Sequence, residues 1–411
     1  MEYKITEEQT PLFIIESLRA GIPTRLATRE LPDMRQDIRD IILNDLRSFQ
    51  GDSIPQGRLV WGQYGQGKTH VLTMAEHVAL DMGFAVSRIS LSREVSCHNL
   101  SKFYGRVAQR LKTPDSDTLG LQFKLNHISP SELSGSRILE KDRYVNPLPV
   151  VVLEDYMHTS GEEQDRLYTD LLGIRLPMPE LKRIHRLCSS STLPKMEAFK
   201  VNQHSSAYFG VMADAVKLCG YKGWVLLIDE LELIGRLGKT SRLNAYLNLS
   251  WLMNWAGNMK YPIYTLAAAA TRLQDDIWYG RHDDDRTIMP VLAENKYDSE
   301  AGKCIVKFFD KAIGNESIQV EPPQIHDIVK LLDTLVKLHG QAYDWVPSLN
   351  CRDLIDRLGS QTVRTYIRAS LETLDMKYQY NEEVELKADE LSELDLAEDV
   401  EFFIEESEIF Q

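Results

Sequence analysis

Residues 58–72, RLVWGQYGQGKTHVL, constrain this chain more than any other stretch. An apolar strand-like run, Leu59-Val60-Trp61, meets a loop with three glycines, and the loop opens a helix-like run from His70 to Leu80. The loop fits G-x-x-x-x-G-K-[ST] as Gly62 to Gly67-Lys68-Thr69, and the strand and helix around it separate a phosphate loop from a chance match. Backbone N–H groups in a Gly-rich turn form a concave anion site, and the helix that follows adds the positive end of its dipole. Gly62, Gly65 and Gly67 allow close approach to phosphate oxygens, and Gln66 lies in the same turn. Lys68 is expected to reach the β- and γ-phosphates of ATP, and the Thr69 hydroxyl to ligate Mg2+. His70 closes the expected nucleotide-binding run.

Such a loop needs an acidic partner at the end of a neighbouring strand. GWVLLIDELELI, residues 223–234, supplies a buried strand that ends in two acids. Asp229 is expected to hold Mg2+ through water, and Glu230 to polarise the attacking water. LPVVVLEDY, residues 148–156, is also apolar and then acidic. Its order is glutamate before aspartate, the reverse of metal ligand then base, and it leads into a helical insertion. It reads more simply as a buried helix or strand.

Three further positions have two readings each. Thr271 closes the apolar strand YPIYTLAAAATR at 261–272. It is either the polar γ-phosphate sensor of an additional-strand ATPase or a satisfied strand-end threonine. Arg281 and Arg286, in the stretch that begins WYGRHDDDR, either act as an arginine finger across a subunit interface or pair locally with Asp283, Asp284 or Asp285. Arg364, with Arg368 one turn on, either touches the nucleotide from a lid helix or pairs with acids such as Asp353 or Glu372.

Strands alternating with helices imply a mainly parallel sheet covered on both faces. The expected fold is α/β, a P-loop NTPase with a mainly parallel sheet, a mostly helical insertion and a helical C-terminal part. The expected organisation is a helical segment over 1–50, an ATPase core over 51–289 with a mostly helical insertion at about 113–200, a helical lid over 290–380 and an acidic tail over 381–411. Thr10-Pro11 reads as a helix N-cap followed by proline, a second helix starts near Asp33, and residues 99–112 read as one helix.

The 411 residues suffice for two to three domains, and five scattered cysteines without a C-x-x-C pair suit reduced thiols in the cytoplasm rather than zinc or disulfides. No run approaches the ~18 apolar residues of a membrane span, and the N-terminus lacks a secretion signal. The net charge is −14, but residues 381–411 hold thirteen acids against one lysine, so the body is nearly balanced. A balanced body can still carry basic patches for DNA. Lys102, Arg106, Arg110 and Lys112 form one candidate and Lys182, Arg183 and Arg186 another, unless they are solvated helix faces. Phe402, Phe403, Ile404, Ile409 and Phe410, set among acids, make the tail either a docking segment or a disordered one.

Together GQYGQGKTH, FAVSRISLSRE, GYKGWVLLIDELE, LAAAATRL and LGSQTVRTYIRASLETLD resemble the ATP-binding proteins of BREX phage-defence systems, the BrxC/BrxD group, and by length its BrxD type. The resemblance covers about residues 10–380, and the Lys-Thr-His ending of the loop and the VRTYIRA helix are its more specific parts. It implies an Orc-like AAA+ core with a helical lid that acts with other defence proteins, a helicase among the candidates, on DNA. It also implies that Lys68, Asp229 and Glu230 carry the roles given above. The acidic tail is not part of the family pattern. The expected activity is Mg2+-dependent ATP hydrolysis that drives assembly or remodelling on DNA, in a homo-oligomer if the arginine finger acts. A loader or clamp fits better than a translocase, because no separate helicase motifs follow the core. The alternative is a nucleotide-gated switch that scarcely turns over.

Overall fold

A computed structural model of the chain describes residues 9–21, 24–49, 53–115, 120–189, 191–280 and 284–380. Helices α1 (Thr10–Arg19), α2 (Arg25–Glu30) and α3 (Gln36–Arg47) come first, followed by strand β1 (Arg58–Gly62), α4 (Lys68–Asp81) and β2 (Ala85–Ser90). After α5 (Leu100–Ala108) and β3 (Leu111–Lys112) come five helices: α6 (Gly120–Leu125), α7 (Pro130–Ser134), α8 (Leu148–Met157), α9 (Glu162–Leu171) and α10 (Met178–Ser189). Then follow α11 (Val201–Leu218), β4 (Trp224–Asp229), α12 (Lys239–Leu252), β5 (Ile263–Ala270), α13 (Asp285–Lys296), α14 (Ser299–Ile313) and β6 (Ser317–Gln319). The last helices are α15 (Ile325–Tyr343), α16 (Cys351–Leu358) and α17 (Val363–Tyr380).

The chain divides into two units. One holds Asp40–Trp61 and Ala75–Gln319 and contains the sheet; the other holds Gly62–Met74 with the described residues up to Arg39 and from Val320 on. The helices after residue 290 are therefore divided between them, α13 and α14 with the sheet and α15 to α17 with the second unit.

In the sheet unit six strands run in the order β3-β2-β4-β5-β1-β6. β2, β4 and β5 pair in parallel, as do β1 and β6, and β3 lies antiparallel to β2 at one edge. The loop strand β1 and the acid-ended strand β4 are not neighbours, because β5 lies between them. Every residue of β4 and β5 is buried, as expected of strands with partners on both sides and helices above and below. An aromatic cluster fills the space beside β1: Trp61 stands edge-on to Trp278 with centroids 5.1 Å apart, and Trp61 Nε1 donates to Ala312 O at 2.7 Å. Buried tryptophans combine large apolar area with one N–H that needs a partner, and here it has one.

The other unit is built from the two ends of the described chain. Ile14, Ile15 and Leu18 of α1 share one core with Leu332 and Leu335 of α15, Leu354 and Ile355 of α16, and Tyr366 and Ala369 of α17. At its edge Asp375 accepts from Arg19 at 2.7 Å and from His339 Nε2 at 3.0 Å, while Trp345 donates to His339 Nδ1 at 2.9 Å.

Several local expectations change. Thr10 lies inside α1 rather than capping it, and the N-cap position is Gln9, whose side chain does not bond the first-turn N–H groups. The short helix α2 was not foreseen; Thr24 caps it by accepting the Ala27 N–H at 3.2 Å, the usual role of an N-cap threonine. The helix expected over 99–112 stops at Ala108, because Leu111 and Lys112 peel away to pair with Ser87 and Val86. The stretch 148–156 is helical, with Pro149 in the first turn where a missing N–H costs nothing. No helix among the described residues is long and apolar enough to cross a membrane.

Candidate nucleotide site

The loop after β1 has a backbone only glycine tolerates well. Gly65 has φ +76° and Gly67 φ +92°, in the left-handed region that costs other residues about 1–2 kcal/mol. At Gly67 the dihedral is the whole reason, since a Cβ there would meet nothing closer than His70 Cβ at 3.9 Å. Gly65 has a second reason: a Cβ would come within 3.0 Å of Thr362, just before helix α17. α4 begins at once, with Val71 N–H bonded to Gly67 O at 3.0 Å.

Inside the turn, polar groups answer one another. Lys68, only 9% exposed, donates from Nζ to Gly62 O at 3.1 Å and Gln63 O at 3.0 Å, and lies 5.1 Å from the Tyr64 ring centroid. The Gln66 side-chain oxygen accepts the Gln63 N–H at 2.7 Å, in the way a phosphate oxygen bonds to such a turn. Arg35, just before α3, reaches Gln66 O at 3.4 Å. Burial lowers the Arg35 pKa against the pull of Asp37, Asp327 and Glu321. Desolvation also lowers the His70 pKa, with Asp33 opposing and Arg35 adding to the fall, so the imidazole is held neutral near pH 7.

From α17, the Arg364 guanidinium lies on the turn after α1 and donates to Gly21 O at 3.3 Å. Gly21 has φ +71°, and a Cβ there would come within 3.0 Å of Arg364. The glycine turn at 62–69, helix α17 and the N-terminal helices α1 and α2 thus belong to one packed unit. Gly65 with Thr362, Gln66 with Arg35 and Gly21 with Arg364 are its close approaches.

The acidic pair belongs to the sheet unit. Asp229, 4% exposed, ends β4 opposite Ser90 of β2. Its Oδ1 accepts the Glu230 N–H at 3.0 Å, and its Oδ2 faces Arg88 at 3.5 Å. Arg88 also faces Glu76 of α4 at 3.7 Å, and Glu76 is bound by Lys112 at 3.2 Å. A chain of alternating charge therefore leads from the edge strand β3 to the end of β4. Glu230 has φ +58° and ψ +39°, a left-handed conformation rare for a non-glycine residue. Backbone strain of this kind gathers at functional sites. Two residues on, the buried Glu232 accepts the Ala270 N–H at 3.0 Å and so clamps the end of β5. Thr271 follows directly, and its carbonyl accepts from Gln274 at 2.8 Å.

The family model of the BREX system ATP-binding protein BrxC/D matches residues 7–123 and 200–382 of the chain. The chain belongs to that family. A comparison with curated proteins gave no match.

In this BrxC/D family member the two matched segments take in the glycine turn at 62–69, the acid-ended strand β4 and helices α15 to α17, and they leave out residues 124–199. Arg281 lies outside the described residues, as does the tail from 381 on. Arg286 donates to Tyr279 Oη at 2.5 Å and faces Asp310 at 4.0 Å. Asp285, one of its expected local partners, is buried and taken instead by Arg242, through two bonds of 2.9 Å. Lys102, Arg106 and Arg110 are exposed, whereas Lys112 is tied to Glu76. Lys182 and Arg186 are exposed as well, and Arg183 pairs with Glu163 at 2.6 Å. Sequence reasoning missed Arg35, Glu76, Arg88 and Glu232. Only Arg88 carried a signal, a charge inside the strand run FAVSRISL; the others lie on helices or turns where a charged residue is ordinary.

Proposed function

We propose that the chain is a Mg2+-dependent ATPase of a BREX defence system, with an AAA+-type core of the BrxD kind. The observation that carries this reading is the loop at 62–69: two left-handed glycines, an inward lysine and a helix start directly after a buried strand. The β5 insertion between β1 and β4 supports it at the level of topology. In this reading the loop amides, Lys68 and Thr69 bind the phosphates and the metal, with Gln66 and His70 beside them. Bound Mg2+ supplies charge neutralisation on the transferred phosphoryl group. Asp229 holds the metal's water shell, and Glu230 orients the water for in-line attack on the γ-phosphorus. Thr271 senses the γ-phosphate, Arg364 is the lid contact, and Arg281 is the finger of a homo-oligomer. Hydrolysis is coupled to assembly or remodelling of a protein–DNA complex with other defence proteins, as a loader or clamp, and Lys102, Arg106 and Arg110 supply phosphate contacts to DNA. The site of action is the cytoplasm.

One observation favours the slower alternative, a nucleotide-gated switch. Lys68 and Gln66 are satisfied within their own loop, so ATP must displace these bonds before it is gripped. Steady-state ATPase with and without DNA separates the two, since a rate that stays negligible under both conditions identifies the switch. Lys68→Ala is expected to weaken MgATP binding by at least about 100-fold, a loss of the size expected for a charge-assisted contact of about 3 kcal/mol. Unchanged calorimetric affinity in that variant would refute the whole reading.

A further inference from the structure

The segment that the family model leaves out, 124–199, holds a second constellation. Asp155 of α8 and His185 of α10 are both buried, and His185 Nδ1 lies 2.9 and 3.0 Å from the two carboxylate oxygens. A carboxylate only accepts, so Nδ1 carries the proton and Nε2 is left as an acceptor. On that side stands Ser191, an exposed residue just past α10, with its Oγ 3.3 Å from Nε2. Carboxylate, imidazole and hydroxyl thus stand in series in the order that activates a serine.

The neighbours define how this series rests. Ser189 Oγ donates to His185 O at 2.8 Å, so its own proton is committed. It lies 2.9 Å from Ser191 Oγ and therefore accepts there. The single Ser191 proton has two acceptors within reach, Ser189 Oγ and His185 Nε2, and rotation about the Cβ–Oγ bond turns it from one to the other. Cys188, whose thiol lies 3.7 Å from Asp155 O, is not the nucleophile. Burial, with Asp155 adding, pushes its pKa up and keeps it protonated.

We propose that Ser191, His185 and Asp155 form a second reactive centre, independent of the nucleotide site, that transfers acyl groups from carboxylic esters to water. Ser191 Oγ attacks the ester carbonyl carbon while its proton passes to His185 Nε2. The C–O bond to the alcohol breaks, and the alcohol leaves with that proton. Water, deprotonated by the same nitrogen, then attacks the acyl-serine, releases the acid and restores the Ser191 hydroxyl. Asp155 acts through His185 and is a positioning residue. The exposed hydroxyl suits small acyl groups presented from solvent.

The test uses the full chain with a fluorophosphonate probe, followed by peptide mass mapping, and with 4-nitrophenyl acetate as substrate. The expected result is a phosphonyl adduct on Ser191, absent in Ser191→Ala and formed about 100-fold more slowly in His185→Gln, the lower range for general-base catalysis. Ser189→Ala, which removes the competing acceptor, is expected to speed labelling a few-fold. Ser191 is exposed, so its variant isolates the chemistry from folding, and thermal melts of all variants report stability separately. No adduct on Ser191, or equal labelling in His185→Gln, would overturn the proposal and leave the cluster as a packing clamp between α8 and α10.

Discussion

Two stretches of this chain have nearly the same grammar, VLLIDE at 225–230 and VVVLED at 150–155. Both are apolar runs that end in two acids, and they become different things. The first is β4, hydrogen-bonded to β2 and β5 on its two sides, and its acids emerge at the strand end. The second is helix α8, whose Asp155 turns inward onto His185. Period alone cannot separate a short buried strand from a buried helix segment. Proline in the first turn of α8 and helices α9, α10 and α11 packed around it tip the second stretch to helix. The lesson concerns aspartates as much as secondary structure. Asp229 faces Arg88 at a strand end, whereas Asp155 is used up orienting an imidazole.

The sharpest way to break this contrast is to neutralise each aspartate in turn. Asp229→Asn is expected to lower ATP turnover by at least about 100-fold, as loss of a metal-holding carboxylate would. Asp155→Asn is expected to act on stability, by about 1–3 kcal/mol, because a buried imidazole N–H loses its carboxylate. A drop in ATP turnover as large for Asp155→Asn as for Asp229→Asn would erase the distinction. The next test concerns the residue after Asp229. Glu230→Gly relieves a left-handed backbone that costs about 1 kcal/mol, so the variant should melt at a higher temperature while losing hydrolysis. A lower melting temperature would show that the Glu230 side chain, rather than its backbone, governs stability there.

A smaller effect separates the loop glycines. Gly65→Ala meets both the left-handed φ and Thr362, and Gly67→Ala meets the φ alone. Nucleotide affinity should fall about tenfold for Gly65→Ala, a penalty of about 1.4 kcal/mol, and less for Gly67→Ala; the reverse order in calorimetry would contradict a role for the Thr362 contact. The smallest effect is on pH. The folded-state pKa of His70 is depressed below the ordinary 6.5. Between the folded and unfolded values the unfolded chain holds more protons, so stability rises with pH through that window and is complete above 6.5. Lowering the pH from about 7.5 to about 5.5 should reduce the melting temperature, less so in His70→Gln. His98, also depressed by burial, keeps part of the effect in that variant.

Much of the sheet was legible because strands 85–90, 224–229 and 263–270 are apolar runs bounded by turns. The glycine turn at 62–69 was legible because its glycines answer a purely local demand, a positive φ at 65 and 67. β6 was not legible, since three residues carry no period. Nor were Arg35, Glu76 and Glu232, whose roles consist entirely of partners remote in sequence.

By itself the sequence determined the backbone chemistry of the loop, the buried strand behind it and the acids at the end of β4, because each depends on neighbours a few residues away. Only the tertiary structure decided that β5 lies between β1 and β4, that α1 shares a core with α15 and α17, and that Asp155 belongs to a histidine. Those outcomes depend on which distant surfaces bury one another, and burial is a property of the whole packed chain rather than of any stretch within it.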